Sequence, residues 1–215
     1  MNEPIAVSPV DSLLAQYCAG SLNPALNALV DAHLELSNTN HRFVEELESL
    51  KGEAVLAMPP AVIAHRDANL AAIFGQVPDA IESEPECAIL PAALQRFAAS
   101  DYASLKWNIV LPGIWQCKLA DAPGMEATLY RIRAGRHIPE HRHEGTEITL
   151  VLRGAFRDGE ACFRQGDIAF ADNRGNHKPV AEPGEDCICF AVIDAPLHLT
   201  GPIGRFLDKW VNRSH

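Results

Sequence analysis

The residues of this chain with the clearest capacity for chemistry lie between positions 141 and 177. His141 and His143 are two residues apart, and Glu147 follows four residues after His143. His177 comes thirty residues later, after the turn-like pair Gly166-Asp167. Side chains at positions i and i+2 of a strand point to the same face, so His141 and His143 are expected to converge. The pattern is H-x-H-x3-E, then G-D, then H.

Three imidazoles and one carboxylate form a suitable ligand set for zinc, iron, manganese or nickel. Neutral imidazole offers a nitrogen lone pair near neutral pH, and the carboxylate offsets part of the metal's charge. We therefore predict that His141, His143, Glu147 and His177 bind one divalent metal. We interpret His137, His198 and His215 as solvated loop histidines.

The sequence after residue 100 alternates short β-type runs with Gly or Pro turns. The predicted strands cover residues 107–111, 114–119, 127–133, 147–155, 161–163, 167–171, 178–181 and 187–193. Such spacing is typical of a sandwich or barrel. Because the histidines, the glutamate and the Gly-Asp pair have the spacing of a cupin motif, we predict a cupin β-barrel over residues 101–200.

The first 75 residues predict four short helices. Ser8-Pro9 and Asn23-Pro24 are start signals, and Gly20 is a stop signal for the first helix. We expect a third helix capped by Asn38 or Asn40 and ended by Gly52, and a fourth over residues 61–74, ended by Gly75. The fold class is therefore α+β. The predicted order is a helical domain (1–76), a linker (77–100), the barrel and a tail (201–215).

The charge of the chain is unevenly distributed. Residues 1–90 contain 13 acidic and three basic side chains, whereas the remaining residues contain 15 of each, so the net charge of −10 lies in the first part. This asymmetry favours a basic partner for the helical domain, the alternative being a merely soluble acidic domain. The pI of about 5.3 argues against direct nucleic-acid binding.

The apolar runs and the cysteines of the chain bear on its compartment and on membrane contact. No apolar run is long and uninterrupted enough for a membrane span, and no charged n-region precedes one. The six cysteines include no CxxC pair. We therefore predict a cytoplasmic protein with reduced thiols.

Several segments resemble one known family. Residues 147–158, Gly166-Asp167-Ile168 and Asp186-Cys187-Ile188-Cys189 are similar to the C-terminal domain of ChrR-type anti-sigma factors. Residues 13–20 resemble the first helix of their anti-sigma domain. The resemblance spans nearly the whole chain and is weakest across residues 52–100.

This resemblance implies a regulator of transcription. Its helical domain would bind an extracytoplasmic-function sigma factor and block access to core polymerase, while the cupin would sense a signal such as singlet oxygen. Zinc is then the favoured metal of the barrel, with iron, manganese and nickel as alternatives.

The helical domain departs from the family at its structural zinc site. The family uses an upstream histidine and a His-x3-Cys-x2-Cys motif, and the corresponding residues here are Ser8, His33, Ser37 and Asn40. Hydroxyl and amide oxygens are poor substitutes for thiolates at zinc. We therefore predict no zinc in this domain and interpret His33, on the apolar stripe of its helix, as a packed core histidine. His41 could add one more ligand beside His33, but two histidines form only a weak zinc site.

Three further hypotheses stay open. The same ligand set also serves cupin enzymes, so the alternative is a metal-dependent dioxygenase with a helical dimerisation appendage. Cys187 and Cys189 face the same way on a strand and form either a redox pair or ordinary packing. Pairing of the barrel's edge strands between two copies of the chain would form a homodimer.

Overall fold

The computed structural model describes residues 8–75, 89–122, 125–173, 175–194 and 197–199. Within these ranges five α-helices precede the strands: α1 (Pro9–Ala19), α2 (Pro24–Leu36), α3 (His41–Leu56), α4 (Arg66–Phe74) and α5 (Ala92–Ala98). None of the helices in the described ranges combines the length and apolarity needed to cross a bilayer. The α+β class is confirmed, because the helices are followed by a sheet-rich region.

The ends of α1 and α2 follow their sequence signals. The Ser8 hydroxyl accepts a hydrogen bond from the backbone N–H of Val10 at 3.2 Å, and the Asn23 side chain accepts one from Leu26 at 2.9 Å. Gly20 ends α1 with φ of 69°, a conformation that glycine adopts without steric cost. Both predicted helix starts are confirmed.

The third and fourth helices differ from the prediction. Gly52 lies inside α3, which continues to Leu56, because a single glycine costs about 1 kcal/mol relative to alanine and does not by itself end a helix. Asn40 occupies the N-cap position but makes no side-chain capping bond. Helix α4 begins at Arg66 instead of residue 61, since His65 adopts a left-handed conformation with φ of 57° that a helix interior excludes.

Helix α5 lies within the segment predicted as a linker, and the sequence analysis missed it. The carboxylate of Glu35 in α2 accepts hydrogen bonds from the backbone N–H groups of Ala92 and Ala93 at 2.7 and 2.9 Å. This pair of bonds caps the start of α5 and joins it to α2. Residues 77–88 of the predicted linker and the tail over 201–215 lie outside the described residues. The domain boundaries therefore stay predictions.

The strands form one large and two small antiparallel sheets. Their bounds are β1 (Asn108–Leu111), β2 (Ile114–Ala122), β3 (Met125–Ile132), β4 (His141–His143), β5 (Glu147–Arg153), β6 (Ala155–Asp158), β7 (Ala161–Arg164), β8 (Ile168–Ala171), β9 (Val180–Ala181), β10 (Cys187–Ile193) and β11 (Leu197–Leu199). The large sheet has the order β1-β2-β3-β10-β5-β8, and the others are β7-β6-β9 and β11-β4. Strands β6 and β11 were not predicted, and β4 was expected only as the extended segment that aligns His141 with His143.

Gly154 separates β5 from β6, whereas the sequence predicted one strand over residues 147–155 and no strand for the rest of β6. Its φ is 72°, and a Cβ atom at this position would lie 2.7 Å from the carbonyl oxygen of Asp186. Only glycine fits such a close approach of two backbones. The chain turns here from the large sheet to the small one.

The large sheet is buried on both faces. One face shares a hydrophobic core with the helices. The largest side chains of this core include Leu14, Leu29, Leu94, Leu129, Leu150 and Phe190. The ring of Phe97 in α5 contacts that of Phe190 in β10 edge-on, with centroids 6.0 Å apart. The opposite face encloses a second core with residues from β6 and β9. Helices α2 and α5 thus pack against the outer face of the large sheet.

Candidate metal centre

Strand β4 and the loop before β9 bring the three histidines together. His141 and His143 are almost fully buried, while Arg142 between them is exposed, as expected for alternate residues of a strand. His177 pairs with His141 through two backbone hydrogen bonds of 3.1 and 3.0 Å. This pairing fixes the loop beside the strand.

The histidine rings converge through their Nε2 atoms. The Nε2 atoms of His143 and His177 are 2.9 Å apart. The ring centroids of His141 and His177 are separated by 4.1 Å. One nitrogen from each of the three rings lies within 4.8 Å of the others, a distance that permits a shared metal ion.

The outer ring nitrogens of two histidines are held by oxygen acceptors. Nδ1 of His141 donates to the carbonyl of Pro139 at 2.9 Å, and Nδ1 of His177 donates to the carboxylate of Asp158 at 2.8 Å. A proton on Nδ1 leaves the lone pair on Nε2, which points toward the centre. Such outer partners are characteristic of metal-bound histidine.

The donor set fits a divalent metal. Burial, followed by the neighbouring His177, lowers the pKa of both His141 and His143 to about 4, so both rings are neutral at pH 7 and can donate lone pairs. Nδ1 of His143 is buried and has no hydrogen-bond partner among the described residues. The cluster could therefore hold a metal through three imidazole nitrogens.

Glu147 lies next to this cluster at the start of β5. One carboxylate oxygen is 3.5 Å from Nε2 of His143, and the other accepts a hydrogen bond from the Thr149 hydroxyl at 2.7 Å. The structure thus places all four predicted residues in one region. Three nitrogens converge most closely, and the carboxylate stands beside them.

Asp158 is the residue of this centre that the sequence analysis missed. Asp158 precedes Gly159 in a turn-like pair, and nothing in the sequence indicates its partner. Only the antiparallel packing of β6 beside the His177 loop brings its carboxylate to the imidazole.

The cysteine pair lies in the barrel interior. Cys187 and Cys189 are buried on the inner face of β10, with their Sγ atoms 3.4 Å apart, and both are free thiols. The hydrogen bond between the thiols and their burial hold the pKa of Cys189 well above its usual value. A low thiolate fraction slows nucleophilic or redox chemistry, so the geometry favours the packing interpretation.

The residues that correspond to the family's zinc site make hydrogen bonds instead. His33 is buried; its Nδ1 donates to the carbonyl of Gly166 at 2.6 Å, and its Nε2 accepts from the Asn40 side chain at 3.0 Å. Nε2 of His41 donates to the carbonyl of Leu34 at 2.7 Å. Both ring nitrogens of His33 are therefore engaged within the protein, and one of them joins α2 to the turn before β8.

An antiparallel barrel with an interior histidine cluster, preceded and covered by helices, defines a cupin with a helical N-terminal region. The family model described as "ChrR Cupin-like domain" matches residues 95–195. The anti-sigma-E factor ChrR of Cereibacter sphaeroides is 34% identical over 208 residues, covering 94% of this chain and 93% of the relative. The chain therefore belongs to the ChrR family of anti-sigma factors, and the resemblance seen in the sequence is confirmed.

One solved structure agrees with this assignment over most of the chain. The crystal structure of Rhodobacter sphaeroides SigE in complex with the anti-sigma ChrR matches with a TM-score of 0.71 and 34% identity, over 87% of this chain and 97% of that one. A cupin protein from Ralstonia eutropha JMP134 has a TM-score of 0.43 and 21% identity, over 54% and 86% of the two chains.

Proposed function

We propose that this protein binds an extracytoplasmic-function sigma factor through its helical region and keeps it from core polymerase. The relative of 34% identity in the solved complex is bound to SigE, and the match extends across both the helices and the barrel. A cupin enzyme with a helical appendage is the less favoured alternative, because this relative is named for regulation. As the target of such a partner is the transcription machinery, we place the protein in the cytoplasm.

The observation that carries this proposal is a run of exposed apolar side chains at the end of α3, in the following loop and in α4. We name it the α3–α4 apolar segment; it comprises Leu50, Val55, Leu56, Met58, Val62, Ile63, Ile73 and Phe74. Exposed apolar residues grouped in this way are typical of a protein interface. The sigma factor is the occupant that the family relationship supports.

Charge supports the same partner. The excess of acidic side chains lies in residues 1–90, which include α3 and α4. Sigma factors bind promoter DNA and are basic in part, so complementary charge would speed their encounter with these helices. The apolar side chains would then supply most of the affinity.

A binding experiment with two matched variants tests the proposal. Full-length protein is mixed with purified extracytoplasmic-function sigma factors encoded in the same genome, and complex formation is measured by size exclusion and calorimetry. Leu56→Asp changes a side chain of the α3–α4 apolar segment that is 86% exposed, and Ile109→Asp changes a barrel side chain that is 71% exposed.

We expect a one-to-one complex with one sigma factor, weakened about tenfold or more by Leu56→Asp and unchanged by Ile109→Asp. Absence of any complex, or equal effects of both variants, would contradict the proposal. Turnover of a small molecule by the sigma-free protein would move the function to the dioxygenase alternative.

For the barrel, we propose that His141, His143, Glu147 and His177 bind one divalent metal, with zinc as the metal. Zinc accepts three imidazoles and a carboxylate in tetrahedral geometry and would tie β4, β5 and the His177 loop together. We further propose that this centre belongs to the sensor of oxidative stress, such as singlet oxygen, that releases the sigma factor.

Metal content per chain tests the ligand assignment. We expect one equivalent of zinc by mass spectrometry in the full-length protein, and loss of most of it in His143→Ala. His137→Ala is the control, because His137 is an exposed histidine near the same strand. Full metal retention in His143→Ala would overturn the assignment, and one equivalent of iron would favour the enzyme alternative.

A further inference from the structure

The barrel contains a cavity of about 300 Å³ between the inner face of the large sheet and the small sheet β7-β6-β9. Its volume is at the lower end of the range of small-molecule sites. Most of its walls are apolar, and the lining side chains include Ile114, Ile132, Ile138, Phe156 and Phe163. Such a cavity fits one small molecule with an apolar body.

Two uncharged polar side chains interrupt the apolar wall on the large sheet. Gln116 of β2 and Tyr130 of β3 are directly opposite each other in the antiparallel register, and both line the cavity. Residues paired in this way have their Cβ atoms roughly 5 Å apart on the same face of a sheet. The amide and the hydroxyl can therefore contact the same atom of a ligand.

The protein itself uses neither of these polar groups. Within the described ranges of the chain, the Gln116 amide and the Tyr130 hydroxyl have no hydrogen-bond partner. The amide N–H and the phenolic O–H are both donors, and a carbonyl oxygen has two lone pairs that can accept from both. A ligand with a carbonyl group would therefore supply the bonds that an apolar ligand leaves unmade.

The charged side chains of the cavity favour a ligand without charge. Glu147 and Asp158 also line it, and their carboxylates would repel an anion. A cationic head group would lose its hydration against the apolar walls, a cost that a neutral oxygen largely avoids. The same walls disfavour sugars, because several hydroxyl groups would be left without partners.

We propose that the barrel binds a small neutral carbonyl compound with an apolar ring or chain, whose oxygen accepts hydrogen bonds from Gln116 and Tyr130. This inference goes beyond the proposed function, because the side chains of the cavity wall hold the ligand and no metal is required. The apolar body gains free energy by leaving water, roughly 25 cal/mol per Å² of buried apolar surface.

The first test is binding of acetophenone to the full-length protein with isotope-labelled isoleucine methyl groups. Ile114, Ile132 and Ile138 line the cavity, whereas Ile63 and Ile109 are exposed elsewhere. We expect saturable chemical-shift changes at the first three and none at the other two. Absence of shifts, or equal shifts at all five, would overturn the proposal.

A series of ligands with the same ring tests the chemical class. α-Methylstyrene has a methylene group in place of the carbonyl oxygen, benzoate has a carboxylate, and 1-phenylethylamine has an ammonium group. Acetophenone should bind about tenfold more tightly than each of them, a difference of roughly 1.4 kcal/mol. Equal affinity of α-methylstyrene would show that the oxygen is not recognised, and tighter binding of either charged ligand would overturn the neutral class.

Conservative variants test the two donors. Tyr130→Phe removes the hydroxyl and keeps the ring, and Gln116→Leu removes the amide at similar size. Each should weaken acetophenone binding about fivefold and leave α-methylstyrene binding within twofold. Tyr102→Phe is the control, because Tyr102 packs against the helix-side core outside the cavity lining. Unchanged acetophenone affinity in both cavity variants would overturn the assignment of the donors.

The outcome is separable from that of the sigma-factor proposal. A protein that binds the sigma factor but not acetophenone would refute only this inference. A protein that takes up acetophenone at the three cavity isoleucines but binds no sigma factor would refute only the proposed partner.

Discussion

At the scale of single residues, His33 shows how a side chain can keep its place while its chemistry changes. The resemblance to the family implies a zinc ligand at this histidine, but here Ser37 and Asn40 occupy the positions of the expected thiolates. The ring instead bridges the Gly166 carbonyl and the Asn40 amide, so both nitrogens are satisfied without a metal. A buried polar group that is fully hydrogen-bonded adds specificity to the contact between helices and barrel.

The pH dependence of stability should report on His33. Burial lowers the pKa of this residue below the ordinary value. The unfolded chain therefore takes up a proton first, near pH 6.5, and stability is lost as the pH falls through that region. Between about pH 7.5 and 5.5, the free energy of unfolding of the wild type should fall more steeply than that of His33→Gln. Parallel urea-denaturation curves across this range would contradict this expectation.

Asp158 gives a second prediction at this scale. Its carboxylate fixes the tautomer of His177, so Asp158→Asn should weaken zinc affinity about 10- to 100-fold while leaving the ligands in place. Glu160→Gln removes the same charge from an exposed neighbour in the turn and should leave the affinity unchanged. Competition with a chelator measures both. Equal affinities of the two variants would show that Asp158 acts only through its charge or not at all.

At the scale of elements, the turn before β8 connects the helices with the histidine cluster. Gly166 lies against the end of α2, and β8 then pairs with β5, where Ala171 is opposite Glu147. One short strand therefore reaches from the His33 contact to the proposed ligand set. This continuity offers a physical route from the barrel to the helices, because packed strands move as units.

Two glycine variants test the contact of this turn with α2. Gly166 and Gly159 both have positive φ, but only at Gly166 would a Cβ atom meet a neighbour, 3.0 Å from the Ser37 Cβ. Gly159→Ala should cost about 1 kcal/mol from backbone strain alone. Gly166→Ala should cost about 2–4 kcal/mol, because the helix must also shift. Chemical denaturation measures the loss in free energy of unfolding for both variants. Equal losses would show that α2 shifts away from the added Cβ atom at no cost.

At the scale of the whole molecule, the helices and barrel share a core while their charges differ. The shared core covers the outer face of the large sheet, so the helical region cannot separate from the barrel without exposing Phe190 and its neighbours. The net charge of −10 lies in residues 1–90, and the barrel side is balanced. Docking of a basic partner is therefore directed to the helical side. The homodimer through edge strands stays a prediction.

This charge distribution predicts a salt effect on sigma-factor binding. Raising the salt concentration should slow association much more than it speeds dissociation, because surface charge mainly steers encounter. Replacing Glu45 and Glu53 of α3 with glutamine should reduce both the association rate and its salt dependence. The same change at Glu144 and Glu160, in the barrel, is the control. Surface plasmon resonance measures the rates, and identical salt slopes for both double variants would contradict steering by α3.

Local signals in the sequence determined much of this protein. The Ser8 and Asn23 caps, the Gly20 stop and the H-x-H pattern depend on neighbours within a few residues, and each has a fixed geometric consequence. Strand β10 was also recognisable, since a continuous apolar run is typical of a strand buried on both faces.

Tertiary structure alone decided the contacts between residues far apart in the chain. Asp158 reaches His177 across 19 residues, and His33 reaches Gly166 across 133. Helix α5 is short and depends on Glu35 from α2 for its cap. No local pattern encodes such pairs, because their free energy appears only when packing of the shared core brings the segments together. The sequence therefore determined which ligand and hydrogen-bonding side chains are present and how they are spaced locally. The fold determined which distant residues they contact.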